Sequence, residues 1–242
     1  MLDCVQGVSA NSVPLYADDS HLTEFAATVV RAGPRFVVLD RTAFYPDSGG
    51  QPSDVGVLSH AGGEARVGKV VKRGQEIFHY LDADLPVGAP VHGVIDWPTR
   101  SWNMRRHSAE HLITGLIEAL GEPPKVYSDL ERLEYQPSSL TEEQIRSVGR
   151  RFDEIVDEGV AVRVYYEERA KIDASGDPRK IGFLQKIPRG VDRLRIVDIG
   201  PYASTFCFGT HVKATGEIGH LAELRLEEAK KGKRIVHFRF EA

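Results

Sequence analysis

The sequence predicts two domains: a small N-terminal β-barrel over residues 1–98, then an α+β domain over 99–242 whose helices pack on a mainly antiparallel sheet. Three observations carry this. Short β-branched runs recur at regular intervals between residues 12 and 97, with Gly and Pro between them, the pattern of a barrel of short strands. The period turns helical at "DWPTRSWNMRRHSAEHLITGLIEALG". Beyond it, helical and alternating segments intermix. A chain of 242 residues has room for two hydrophobic cores.

In chain order, "ATVVRAGPRFVVLDR" predicts two strands around a turn at Ala32-Gly33-Pro34. "DVGVLSH", "ARVGKVVKRG", "EIFHYLD" and "APVHGVIDW" follow as further strands, punctuated by Gly62-Gly63, Arg73-Gly74 and Pro86 to Gly88. Met104, His111, Leu112, Ile113, Leu116, Ile117 and Leu120 give the first helix its period, and Gly121 stops it. A second helix runs from about Thr141 to Glu158. Thr141 and Gln144 are spaced as a capping box, and Ile145, Val148, Phe152, Ile155 and Val156 form the apolar stripe. "VAVRVYYEE" alternates as a strand, and "RAKIDASGDPRKIGFLQKIPRG" reads as a loop with one helical turn. "LRIVDIG" is a short strand, and the C-terminal segment forms two strands around Lys231-Gly232-Lys233.

Composition narrows the function classes. The net charge of -4 and pI of about 6.2 disfavour a strongly basic, non-specific nucleic-acid binder but leave room for a local basic patch. Two cysteines, Cys4 and Cys207, make no disulfide framework and point to a reducing compartment. No leader and no membrane-spanning run is visible, so the expectation is a cytoplasmic protein. Cys4 has no assignable role.

The chemistry gathers in two motifs. "HSAEH", residues 107–111, places His107 and His111 four apart, on one face of a helix, where both imidazoles reach one metal ion. Zinc needs further nitrogen, sulfur or oxygen ligands. "CFGTH", residues 207–211, offers Cys207 and His211, and a folded domain can bring the two pairs together. "HSAEH" also fits H-x-x-E-H, in which Glu110 would be the general base of a metallopeptidase and an acidic residue such as Glu154 the third ligand. That reading leaves "CFGTH" without a role and belongs to much larger enzymes.

The glycine-rich "FYPDSGGQPSDVG" at 44–56, then "HSAEHLI" and "FCFGTHVKATGEIG", in this order across about 170 residues, resemble the editing domain of alanyl-tRNA synthetase. The resemblance is to its freestanding relatives of intermediate length (the AlaX type), with a barrel and an editing domain but no aminoacylation domain. It implies one zinc ion held by His107, His111, Cys207 and His211. It also implies ATP-independent trans-editing, the hydrolysis of the ester in mischarged tRNA(Ala), chiefly seryl-tRNA(Ala) and also glycyl-tRNA(Ala), at the acceptor end of the tRNA. The sequence departs from the family at Asp47-Ser48, at Phe208 and over 126–140. With this resemblance Glu110 becomes a helix-surface residue. Four protein ligands would close the zinc sphere, so the expectation is an open site with one labile ligand.

The remaining assignments follow from that substrate. Gly49 and Gly50 let backbone approach an ester closely, Gln51 can orient a water, and Thr210 lies beside two ligands, so these four are pocket candidates. Selection of a serine hydroxyl needs a polar partner, for which Ser128 and Thr114 are candidates with Thr210. Contact with tRNA needs cations. Residues 171–195 hold seven basic residues, including Lys180, Lys186, Arg189 and Arg195, against three acidic ones. Arg100, Arg105 and Arg106 form a cluster beside His107, and Lys230, Lys231, Lys233 and Arg234 another. Two alternatives remain open: the same deacylation of another misacylated tRNA, and a non-catalytic RNA-binding module stapled by zinc.

Overall fold

A computed structural model describes residues 11–176, 184, 187 and 189–241. Cys4, Lys180 and Lys186 lie outside the described residues. The chain divides into two compact units, Met1–Asn103 and Met104–Ala242, a break at 103/104 where the sequence placed one at 98/99.

The first unit is a closed barrel. Strand β1 (Val13–Pro14) pairs in parallel with β4 (Arg41–Thr42) at one end. Strands β2 (Glu24–Gly33), β3 (Phe36–Leu39), β5 (Gly56–His60), β6 (Gly63–Arg73), β7 (Glu76–Leu81) and β8 (Pro90–Ile95) close in the order β2-β3-β7-β6-β5-β8. Every pair in the ring is antiparallel. Closure leaves none of the six with an unpaired edge. Alternation decides what points inward: Phe25, Ala27 and Val29 are buried on β2, while Glu24, Ala26 and Thr28 between them are exposed. Val37, Leu39, Leu58, Val67, Val70 and Ile77 complete much of the core.

The glycine-rich segment lies between β4 and β5. Ser48 and Gln51 exchange backbone hydrogen bonds of 3.2 and 3.0 Å across Gly49 and Gly50, whose φ values are +59° and +83°. Both positions favour glycine, because a side chain there would be strained. Asp54 then receives the Tyr45 backbone N–H at 2.5 Å and the Arg100 guanidinium. Arg100 also donates to the carbonyls of Ser20 (2.8 Å) and Ala43 (2.5 Å), and neither Arg100 nor Asp54 has exposed side-chain surface. Arg100 is thus an internal clamp and no part of a surface basic cluster.

The second unit takes most of helix α1 (Trp97–Glu118). Helix α2 (Glu142–Glu158) has the expected capping box at Thr141 and Gln144, buries the expected stripe, and ends at Gly159 in the left-handed conformation. A short helix, α3 (Arg169–Ala174), supplies the helical turn. The strands are β9 (Tyr127–Ser128), β10 (Arg132–Tyr135), β11 (Val162–Glu168), β12 (Arg193–Ile199), β13 (Ala203–Phe206), β14 (Leu221–Ala229) and β15 (Lys233–Phe240). They form two antiparallel sheets, β14-β15-β10-β9 and β11-β12-β13. Strands β9, β10 and β13 were not expected. Each has four residues or fewer, too short to show a period. Among the described residues, no helix is long and apolar enough to cross a membrane.

Candidate metal centre

Helix α1 is buried on all sides over residues 107–115. Ala109, Leu112, Ile113 and Ile117 have no exposed surface, and His107 and His111 are 5% and 6% exposed. Gly115 sets how closely the helix packs. A Cβ there would stand 2.1 Å from the Tyr202 carbonyl oxygen and 2.9 Å from the Ala203 Cβ. The helix therefore lies directly against the β12–β13 hairpin, and that hairpin leads into Cys207 and His211.

The four predicted ligands meet there. One ligand atom from each of His107, His111, Cys207 and His211 lies within 4.8 Å of the others. Cys207 Sγ is 3.5 Å from His107 Nε2 and 3.3 Å from His211 Nε2, and the three imidazole centroids are 4.5–4.9 Å apart. Burial pushes the His107 imidazole down to about 4 and holds His111 and His211 well below their usual value, so all three are neutral. Burial pushes the Cys207 thiol up to about 11, against the Gly209 N–H and the Arg195 guanidinium, which favour the thiolate. His111 Nδ1 is buried with no hydrogen-bond partner among the described residues. Neutral imidazoles, a sulfur and an orphaned buried nitrogen in one pocket are what a borderline-soft divalent cation requires.

The supporting contacts come from residues that spacing alone does not reveal. Arg195 on β12, 1% exposed, donates through Nη1 to the carbonyls of Cys207 (2.6 Å) and Gly209 (3.0 Å). It clamps the ligand loop, and this corrects its place in the surface basic cluster. The Gly209 N–H points at Cys207 Sγ at 3.3 Å. Ser108 Oγ lies 3.1 Å from His211 Nδ1 and receives the Val212 N–H at 3.3 Å. With Nδ1–H donating to Ser108, the Nε2 lone pair of His211 is left facing the cluster.

Glu110 is corrected as well. It is 3% exposed, not at the helix surface. Lys125 donates to its Oε1, and Thr114 Oγ1 donates to the same oxygen at 3.2 Å. Burial raises its carboxyl, but the charge and hydrogen bond of the Lys125 ammonium outweigh this and leave it at about 2. Glu154, the acidic ligand that a peptidase would need, is instead a mostly exposed α2 residue paired with Arg151 at 2.8 Å.

The other candidates are placed as follows. Thr210, in sequence between the candidate ligands Cys207 and His211, is fully buried. Thr114 engages Glu110 and Lys125, and Ser128 is half-buried on β9. Gly49, Gly50 and the buried Gln51 belong to the first unit. Arg105 Nε donates to the Ile218 carbonyl at 2.8 Å, and Arg106 Nε to the Leu130 carbonyl at 2.9 Å. Both guanidinium groups thus have structural partners. Arg189 is exposed.

Residues 11–99 match the family of class II (A) tRNA synthetases, and residues 194–236 match the threonyl and alanyl tRNA synthetase second additional domain. The chain is 35% identical over 221 residues to an alanine–tRNA ligase of Thermoplasma acidophilum and 34% identical over 236 residues to that of Pyrococcus furiosus. It covers 88% and 92% of itself in these matches but spans only about a quarter (25%) of each ligase. To the alanyl-tRNA editing protein AlaX-M of Methanosarcina mazei it is 32% identical over 242 residues, 93% of this chain and 94% of the relative. Matched by that relative over 93% of its length and bringing both motifs to one buried cluster, the chain belongs to the alanyl-tRNA editing family.

Proposed function

We propose that the chain hydrolyses the aminoacyl ester of mischarged tRNA(Ala), seryl-tRNA(Ala) first and glycyl-tRNA(Ala) second, with one zinc ion at the described centre, and so protects translation fidelity. The observation that carries this is the convergence of a helical H-x-x-x-H pair with a C-x-x-x-H pair 100 residues away, in a chain that aligns along nearly all of an alanyl-tRNA editing protein. His107, His111, Cys207 and His211 would hold the ion, which supplies Lewis acidity and an acidified water when bound. The chain's own residues do the rest. Arg195 fixes the loop carrying two ligands, Ser108 sets the face that His211 presents, and Gly209 N–H favours the thiolate of Cys207. Thr210 is the pocket residue nearest the ligands in sequence, and it joins Ser128 and Thr114 as candidates for selecting the serine hydroxyl. Gln51, with Gly49 and Gly50, is the candidate for orienting water. Among the described cations, Arg189 is a candidate contact for the acceptor end of the tRNA, and Lys180 and Lys186 share that role by sequence.

The test is deacylation of Ser-, Gly- and Ala-tRNA(Ala) and of Ser-tRNA(Thr), with and without chelator. The expected outcome is chelator-sensitive hydrolysis of Ser-tRNA(Ala), with Ala-tRNA(Ala) spared. Hydrolysis of Ser-tRNA(Thr) alone would move the activity to another tRNA. Hydrolysis of none would leave an RNA-binding module with a metal staple.

A further inference from the structure

A charged cluster unused by the ligand set lies against His111. Glu110 Oε2 is 3.7 Å from His111 Nε2. Its Oε1 accepts from the Lys125 ammonium and from Thr114 Oγ1 at 3.2 Å, and Lys125 also reaches Thr114 Oγ1 at 3.2 Å. Lys125 enters from the segment between α1 and β9. Its side chain is 26% exposed, against 4% for Glu110 and 5% for His111. An ammonium has three N–H donors. Two have the partners just named, and the third has no acceptor among the described residues. The cluster does not earn its place through stability, because apolar residues of similar volume commonly replace a buried ion pair at no loss. A cation next to a cation-binding site also works against metal binding, with Glu110 as its counter-charge. What the arrangement does provide is a positive donor, fixed on two sides and open on the third, beside the candidate metal centre.

We propose that Lys125 touches the substrate, donating its third N–H to the carbonyl oxygen of the scissile ester, with Glu110 and Thr114 as the positioning residues that aim it. The inference rests on the deacylase reading above. Water adds through its oxygen to the ester carbon, and the carbonyl π pair moves onto the carbonyl oxygen, where negative charge develops against the Lys125 ammonium. When that pair returns, the bond from the carbon to the ribose oxygen breaks. The proton given up by the water ends on the ribose oxygen, and a free amino acid and a tRNA with its hydroxyl restored are the products. A donor held in place before reaction is favourable because it needs no reorganisation as charge appears.

The test uses the full chain and Ser-tRNA(Ala). The Glu110→Gln/Lys125→Met double variant removes the cation without leaving a buried charge unpaired. The expected result is a fall in kcat per bound metal ion of roughly 100-fold, with KM near that of the unsubstituted protein and partial rescue of kcat by added ethylammonium. Glu110→Gln alone, which keeps the ammonium and its Thr114 contact but loosens its aim, is expected to lower kcat by less than the double variant. An unchanged kcat per bound metal in the double variant overturns the proposal, as does a change confined to KM. Normalising to bound metal keeps both outcomes readable even where the variant binds metal poorly. Inactivity of the unsubstituted protein would instead overturn the deacylase reading itself.

Discussion

Ser108 sits between the two histidines of the α1 motif, yet its hydroxyl serves the histidine of the other motif, 3.1 Å from His211 Nδ1. Ser108→Ala removes that partner and frees His211 to adopt the wrong tautomer or ring angle. The expected outcome is a roughly 10-fold loss of metal affinity with little change in fold, measured by competition with a chromophoric chelator. The four candidate ligands were legible because each pair is a local spacing that a metal site uses. Ser108, Arg195 and Lys125 were not. Their partners lie 103, 12 and 15 residues away, and no local pattern announces them. Glu110 was placed at the surface because an unpaired glutamate belongs there. Lys125, the partner that changes this, is visible only in the folded chain.

Helix α1 and the β12–β13 hairpin make contact because Gly115 has no side chain. Gly115→Ala would drive a methyl group to within 2.1 Å of the Tyr202 carbonyl and force the two elements apart. The expected cost is about 1–3 kcal/mol in denaturant unfolding, together with weaker metal binding, since one element carries two ligands and the other leads to the remaining two. A loss of stability with metal affinity intact would mean that the hairpin shifts without its ligand loop. Helix α2 was readable to the residue, because its capping box and stripe are local signals. Strands β9 and β13 were not, because two and four residues carry too little alternation. Their existence depends on partners supplied by β10 and β12.

Across the whole molecule, the barrel followed the sequence closely because its strands announce themselves as short β-branched or alternating runs with Gly or Pro between them. The mixed order of the second unit's strands, β14-β15-β10-β9, is a product of non-local pairing that periodicity does not encode. A metal that binds only the folded form stabilises the chain by mass action, about 2.7 kcal/mol at a free concentration 100 times Kd. Chelation is therefore expected to lower the thermal midpoint of the native protein, and added zinc to restore it. A midpoint indifferent to both would remove the ion from the structure. The 100-residue separation of Cys207 from His107 also bears on how the protein is made. A ribosome that has released α1 but not β13 holds a chain with only the His107 and His111 half of the four-residue cluster. An ion held by all four residues could bind only after the 207–211 loop has emerged and docked on α1, while β14 and β15 are still to follow.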